Sequence, residues 1–207
     1  MSRKIIGILR GIRPDEAADV AAAVLNAGIR RVEVTLDSPG ALESIDEISG
    51  KFTGQGEFGA GTVLNERDVE AAAESGASFV VSPDCNLSVI RRTKDLGLSS
   101  FPGVFTATEC FAALRGGADG LKMFPASLLG LDGMAALRTV LGSAPDLYAV
   151  GGVSPENFGE WIAAGADGFG IGSVLFKSGL SVDEVGRRAR ATAIAFDKAI
   201  SGRNRLN

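Results

Sequence analysis

Short apolar runs alternate along the chain with longer segments in which apolar and polar residues recur at helical spacing. The runs, rich in Val, Ile, Phe and Leu, are Ile5 to Leu9, Arg31 to Thr35, Glu57 to Ala60, Phe79 to Ser82, Ser99 to Pro102, Gly120 to Met123, Leu147 to Val150 and Gly168 to Ile171. The segments between them are rich in Ala, Glu and Arg, so the pattern reads as repeated βα units around a parallel sheet. A punctuation recurs as well: Gly28, Gly76, Gly97, Gly117 and Gly165 each end a helical segment a few residues before the next strand, which is the place of a helix C-cap. Pro14-Asp15-Glu16 ahead of Ala17 to Ala27, and Ser154-Pro155-Glu156 ahead of Asn157 to Ala164, mark helix starts. Eight such units in 207 residues predict an α/β chain forming one compact domain over residues 1–207, a (β/α)8 TIM barrel, with Ser201 to Asn207 frayed. A doubly wound open sheet is the other architecture the pattern allows.

Composition narrows the chemistry more than the fold. With 45% hydrophobic and 22% charged residues the chain can bury a sizeable core. A net charge of -4 gives no general attraction to nucleic acid or to an anionic membrane, so an anionic ligand has to be held by a local site. Met1-Ser2-Arg3-Lys4 leads only into a short strand-like run, and the absence of a long apolar span or a secretory leader suggests a cytoplasmic protein. Cys85 and Cys110 form no CxxC pair and read as ordinary thiols of a reducing compartment. The chain has no histidine, which excludes Ser-His-Asp and Cys-His triads, HExxH zinc sites and other imidazole-bound metals. Acid-base work falls to Glu, Asp, Lys, Tyr or water.

In a barrel of this kind the active site lies at the C-terminal ends of the strands, and the residues there form one set: Arg10, Glu33, Thr62, Lys122, Gly151-Gly152 and Gly172-Ser173. Lys122 lies in Gly120-Leu121-Lys122-Met123-Phe124-Pro125, an amine in an apolar run. Burial there lowers a lysine pKa and makes the neutral, nucleophilic amine accessible, which is what Schiff-base chemistry needs; the same run also suits a lysine whose stem lines the core while its head reaches water. Glu33 is costly on either face of a barrel strand, which favours function over a solvated edge. Arg10 offers a fork that matches a carboxylate or phosphate, or else a rim salt bridge. Gly59-Ala60-Gly61-Thr62 brings backbone and one hydroxyl close to whatever fills the mouth, or makes a tight turn. Gly151-Gly152 and Gly168 to Ser173, ending the seventh and eighth strands, occupy the usual place for a phosphate held by backbone N-H groups. Asp119 and Asp167, each in Gly-Ala-Asp-Gly, precede strands at the opposite face and read as turn residues. Met123 and Phe124 read as core or pocket wall.

Taken together, the ordered segments Ile8-Leu9-Arg10-Gly11, Val32-Glu33-Val34, Gly59 to Val63, Ser82-Pro83, Phe101-Pro102-Gly103, Leu121 to Ala126, Val150 to Val153 and Ile171-Gly172-Ser173 make the chain resemble the bacterial 2-keto-3-deoxy-6-phosphogluconate and 2-keto-3-deoxy-6-phosphogalactonate aldolases from about Ile5 to Ile200. The resemblance implies a class I aldolase with Lys122 as the Schiff-base lysine and Glu33 as the proton shuttle. Arg10 and Thr62 would hold the keto-acid end, Phe124 would flank it, and Gly152, Gly172 and Ser173 would take the phosphate. It further implies cleavage of a phosphorylated 2-keto-3-deoxy sugar acid to pyruvate and glyceraldehyde 3-phosphate, no metal or organic cofactor, and a homotrimer. Many gluconate-type relatives carry Pro-Thr-Gly-Gly where this chain has Ala149-Val150-Gly151-Gly152, and some carry Arg in place of Asp37; Val150 is similar to the galactonate type. Asp37 would leave Arg10 to carry more of the carboxylate load. A phosphosugar isomerase or thiamine-phosphate-synthase-like barrel, or a barrel that only binds phosphosugars, would use the same glycine-rich grip with a different fate for Lys122.

Overall fold

The apolar runs become parallel strands of one sheet in the computed structural model, which describes residues 3–203. In chain order the elements are β1 Ile5–Leu9, α1 Pro14–Asn26, β2 Arg31–Thr35, α2 Ala41–Lys51, β3 Glu57–Gly61, α3 Glu66–Glu74, β4 Phe79–Val81, α4 Leu87–Asp95, β5 Ser99–Phe101, β6 Gly103–Val104, α5 Ala107–Arg115, β7 Gly120–Met123, α6 Ala126–Leu141, β8 Asp146–Val150, α7 Phe158–Ala163, β9 Gly168–Ile171 and α8 Val182–Arg203. The sheet order β5-β4-β3-β2-β1-β9-β8-β7-β6 wraps the chain into the expected (β/α)8 TIM barrel. α8 runs through Arg203, so Ser201 to Arg203 are helical rather than frayed; 204–207 lie outside the described residues.

The fifth predicted strand is interrupted. Pro102 has no N-H to give the ladder, so the predicted run Ser99 to Pro102 ends at Phe101 as β5, which pairs with β4, and a short strand beyond the predicted run, β6, pairs with β7. The wall still closes, because the Pro102 carbonyl accepts from Lys122 N at 2.9 Å and Val104 O accepts from Phe124 N at 3.1 Å. Gly103 follows for a steric reason: a Cβ there would lie 2.2 Å from the Pro83 carbonyl oxygen.

Strand periodicity sorts the side chains into two layers. Val32, Val34, Leu121, Met123, Leu147 and Phe169 join the large outer core under the helices, whereas Ile6, Ile8, Phe79, Val81, Phe101, Tyr148 and Val150 fill the barrel itself. Phe101 packs edge-on against both Phe79 and Tyr148, at centroid distances of 5.9 and 5.5 Å, contacts worth about 0.5–1.5 kcal/mol each beyond their buried area. Below them the Arg31 guanidinium lies 5.0 Å from the Phe101 ring, pairs with Glu57 at 2.6 Å and reaches Tyr148 Oη at 3.2 Å, which closes the floor.

All five predicted C-cap glycines have left-handed φ, from +74° at Gly97 to +105° at Gly165. Asp119 and Asp167 do more than serve turns. Asp119 Oδ2 accepts from Ser100 N at 2.8 Å while its own N-H donates to Ser100 O at 2.9 Å, and Asp167 makes the same pair of bonds with Leu147, at 3.1 and 2.8 Å. Each aspartate thus clasps the start of its strand to an earlier one, Asp119 joining β7 to β5 and Asp167 joining β9 to β8. Cys85 and Cys110 are free thiols, and burial pushes the Cys110 thiol up to about 11, which leaves it unreactive. No helix of the described residues is long and apolar enough to cross a membrane.

Candidate active site

The inward positions of successive strands lead upward into a cavity of about 610 Å³ at the C-terminal mouth of the barrel. Counting by twos from the buried layer reaches Arg10 after Ile8 on β1, Glu33 after Arg31 on β2, Phe124 after Lys122 on β7, Gly152 after Val150 on β8 and Gly172 after Gly170 on β9. All five line the cavity, together with Thr62, Lys122 and Ser173, so every site residue read from the sequence comes to one place.

Lys122 and Glu33 form its floor, 8% and 2% exposed. Burial lowers the Lys122 pKa below the ordinary 10.5, with Arg10 pushing the same way and Glu33 opposing. Burial likewise raises Glu33 above the usual carboxylate value, against the pull of Lys122 and Arg10. The site thus pushes both groups toward their neutral forms. Glu33 Oε2 is buried with no hydrogen-bond partner among the described residues, so its capacity is free for an incoming group. Its Oε1 fills the space where Gly61 would carry a Cβ, which would lie 2.5 Å away; glycine at 61 therefore makes room for the carboxylate. The Lys122 ammonium end lies 4.8 Å from the Phe124 ring centroid, so the aromatic wall orients the amine.

The rim is anchored by Arg10. One of its terminal nitrogens pairs with Asp37, and the other donates to Thr62 Oγ1 at 2.9 Å. Thr62 has φ +59°, a left-handed conformation that costs a β-branched residue about 1–3 kcal/mol and that holds its hydroxyl beside Arg10. On the opposite side Gly151 and Gly152 have φ +89° and +79°, and a Cβ on Gly152 would lie 2.5 Å from Ser127 Cβ. Gly152, Gly172 and Ser173 line the cavity, and among the described residues no acceptor pairs with their N-H groups, which leaves three unused backbone donors there.

Pro83, Phe176, Lys177 and Ser178 also line the cavity; Ser82-Pro83 carries part of the resemblance without a site role, and the other three were not read from the sequence. Ser178 and its neighbours lie on the loop after β9, whose course follows from tertiary packing. The one available signal was a lysine a short distance beyond Gly172-Ser173. No cluster of three or more potential metal ligands among His, Cys, Asp and Glu occurs among the described residues.

A buried amine facing a buried carboxyl, below an arginine-threonine pair on one side and free backbone donors on the other, can form an imine and move a proton within a bound anion. The chain as a whole also matches known proteins. Residues 1–191 match the aldolase family described as KDPG and KHG aldolase. A probable 2-dehydro-3-deoxy-6-phosphogalactonate aldolase of Rhizobium meliloti (strain 1021) is 43% identical over 98% of this chain and 95% of its own. The 2-dehydro-3-deoxy-6-phosphogalactonate aldolase of Escherichia coli (strain K12) is also 43% identical, over 95% and 96% of the two chains. A solved structure described as native KDPGal superposes with a TM-score of 0.95 at 42% identity, covering 97% of this chain and 98% of the other. On sequence and fold together, the chain belongs to the KDPG and KHG aldolase family.

Proposed function

We propose that the protein is a class I aldolase that cleaves 2-dehydro-3-deoxy-6-phosphogalactonate to pyruvate and glyceraldehyde 3-phosphate. The observation that carries this reading is the buried Lys122-Glu33 pair on the floor of the mouth cavity. Neutral Lys122 attacks the C2 ketone, and loss of water from the carbinolamine gives a protonated imine. Glu33, directly or through water, takes the C4 hydroxyl proton. The C3-C4 bond breaks, its electron pair passes to the imine as an enamine, and the aldehyde leaves. Glu33 returns the proton to C3, and hydrolysis frees pyruvate and Lys122. No step draws on a metal or an organic cofactor.

Arg10 and Thr62 take the substrate carboxylate in this reading, Phe124 flanks the imine, and the N-H groups of Gly152 and Gly172 with Ser173 take the phosphate. Lys177 adds a cation at the phosphate end of the cavity. Val150, at the position where many gluconate-type relatives have threonine, is 7% exposed in the cavity wall and offers no hydroxyl near C4. That difference of one hydrogen bond, about 1 kcal/mol, favours the galactonate epimer over 2-dehydro-3-deoxy-6-phosphogluconate without forbidding the latter. The free thiols suit a cytoplasmic enzyme, and exposed apolar side chains on α5 and α6 offer area for a homotrimer.

Incubation with pyruvate and borohydride, followed by intact mass and peptide mapping, tests the reading. A reduced pyruvate adduct on Lys122 is expected, together with a higher kcat/KM for the galactonate than the gluconate epimer. A folded protein that forms no adduct overturns the aldolase reading in favour of a phosphosugar isomerase or binding protein.

A further inference from the structure

The Asp37-Arg10 contact has the outward form of a rim salt bridge, with side chains 48% and 57% exposed. Its surroundings distinguish it from one. Ser38, next to Asp37, accepts from Gly11 N through Oγ at 2.8 Å, and the same oxygen lies 3.1 Å from Thr35 Oγ1 and 3.5 Å from Leu9 O. Leu9 and Gly11 flank Arg10 in the chain. On the other side Leu36 N donates to Gly61 O at 2.9 Å, and Gly61 precedes Thr62. The Leu36-Asp37-Ser38 turn is therefore fixed to the backbone on both sides of Arg10 and to the residue before Thr62. Arg10 and Thr62 line the cavity, whereas Asp37 does not, so Asp37 grips the guanidinium from outside.

We propose that Asp37 is a positioning residue for carboxylate binding, bracing Arg10 from behind so that its fork, shared with Thr62 Oγ1, stays aimed into the cavity. This rests on the reading of Arg10 and Thr62 as the carboxylate grip. An arginine tethered at one nitrogen loses less side-chain freedom when a carboxylate arrives, and the gain appears as affinity rather than as turnover. The position thereby serves the clamp without supplying a cation of its own. A purely electrostatic account predicts the reverse sign: a carboxylate beside an anion site repels the ligand, and removing it strengthens binding.

Adduct formation on Lys122, followed as a function of pyruvate concentration in parent, Asp37→Ala and Asp37→Asn, separates these. Both variants lose the charge, but only the asparagine keeps an oxygen that accepts from Arg10. Asp37→Ala is expected to raise the half-saturating pyruvate concentration about three- to tenfold, with the maximal adduct rate and the melting temperature near parental values, while Asp37→Asn stays within about twofold of the parent. The KM for the full substrate should follow the same order with kcat little changed. If the parent forms an adduct and Asp37→Ala saturates at the parental concentration or below it, or if the two variants behave alike, the brace is overturned and the aldolase reading stands. A parent without an adduct removes both.

Discussion

Burial acts in opposite directions on the two groups at the floor of the cavity: it pushes the Lys122 amine toward the neutral nucleophile and the Glu33 carboxyl toward the neutral acid. Each also stabilises the charged form of the other, so the pair is poised rather than locked as a salt bridge. Glu33→Gln keeps the shape and removes the group proposed to carry the proton; it should still trap pyruvate on Lys122 while slowing turnover by about 10² to 10⁴. A glutamine variant with parental kcat would remove Glu33 from the mechanism. The pH dependence carries a sign. Imine formation needs the neutral amine, so the rate of adduct trapping should climb with pH and level off below the 10.5 of an ordinary lysine. Glu33 opposes that depression, and its loss deprives the ammonium of a stabilising neighbour. The plateau in Glu33→Gln should therefore begin at lower pH than in the parent, and a shift to higher pH would mean that the two groups do not interact as described. Lys122 and Glu33 were legible in the sequence because a charge in an apolar strand is conspicuous. The tie between Asp37 and Arg10 was not, because it depends on how the turn after β2 is fastened to the end of β1.

The elements were legible where local chemistry decides them. Positive φ at the ends of helical segments calls for glycine, and all five C-cap positions stood out for that reason. The division at Pro102 follows from a missing N-H, but the sequence does not say that Lys122 and Phe124 bond across the gap and keep the wall shut. The aspartates of the two Gly-Ala-Asp-Gly segments were underestimated for a similar reason, since the N-H that each accepts belongs to another strand. Asp119 also receives Lys94 Nζ at 2.6 Å. Asp119→Ala leaves the Ser100 N-H without its acceptor and should lower stability in urea by about 1–3 kcal/mol. Because the clasp lies at the N-terminal face, away from the cavity, KM and kcat should stay at parental values below the transition. A selective loss of activity without loss of stability would mean that the two faces are coupled.

At the scale of the whole molecule, the chain presents apolar surface that its own fold leaves uncovered. Phe105 and Phe111 around α5 are 39% and 38% exposed, and on the neighbouring α6 Leu131 is 36% and Leu128 76% exposed. α5 packs against α6, so these side chains belong to one flank of the barrel. Single exposed apolar residues are ordinary, but four large ones on adjacent elements offer a surface suited to association. The break in α6 at Gly130, with φ +72° and ψ +170°, separates the turn bearing Leu128 from the rest of the helix. In the homotrimer that the family resemblance implies, cyclic symmetry would bring this flank of each copy against a different face of the next. Sedimentation equilibrium should therefore return three times the chain mass. Leu128→Glu places a charge that has to be desolvated in any contact made there, and it should shift the parent assembly toward smaller species with the helix content unchanged. A monomeric parent would overturn the trimer. A trimeric Leu128→Glu would leave the trimer standing and move its contact to another exposed apolar position, of which Ile194 on α8, 68% exposed, is the next to test.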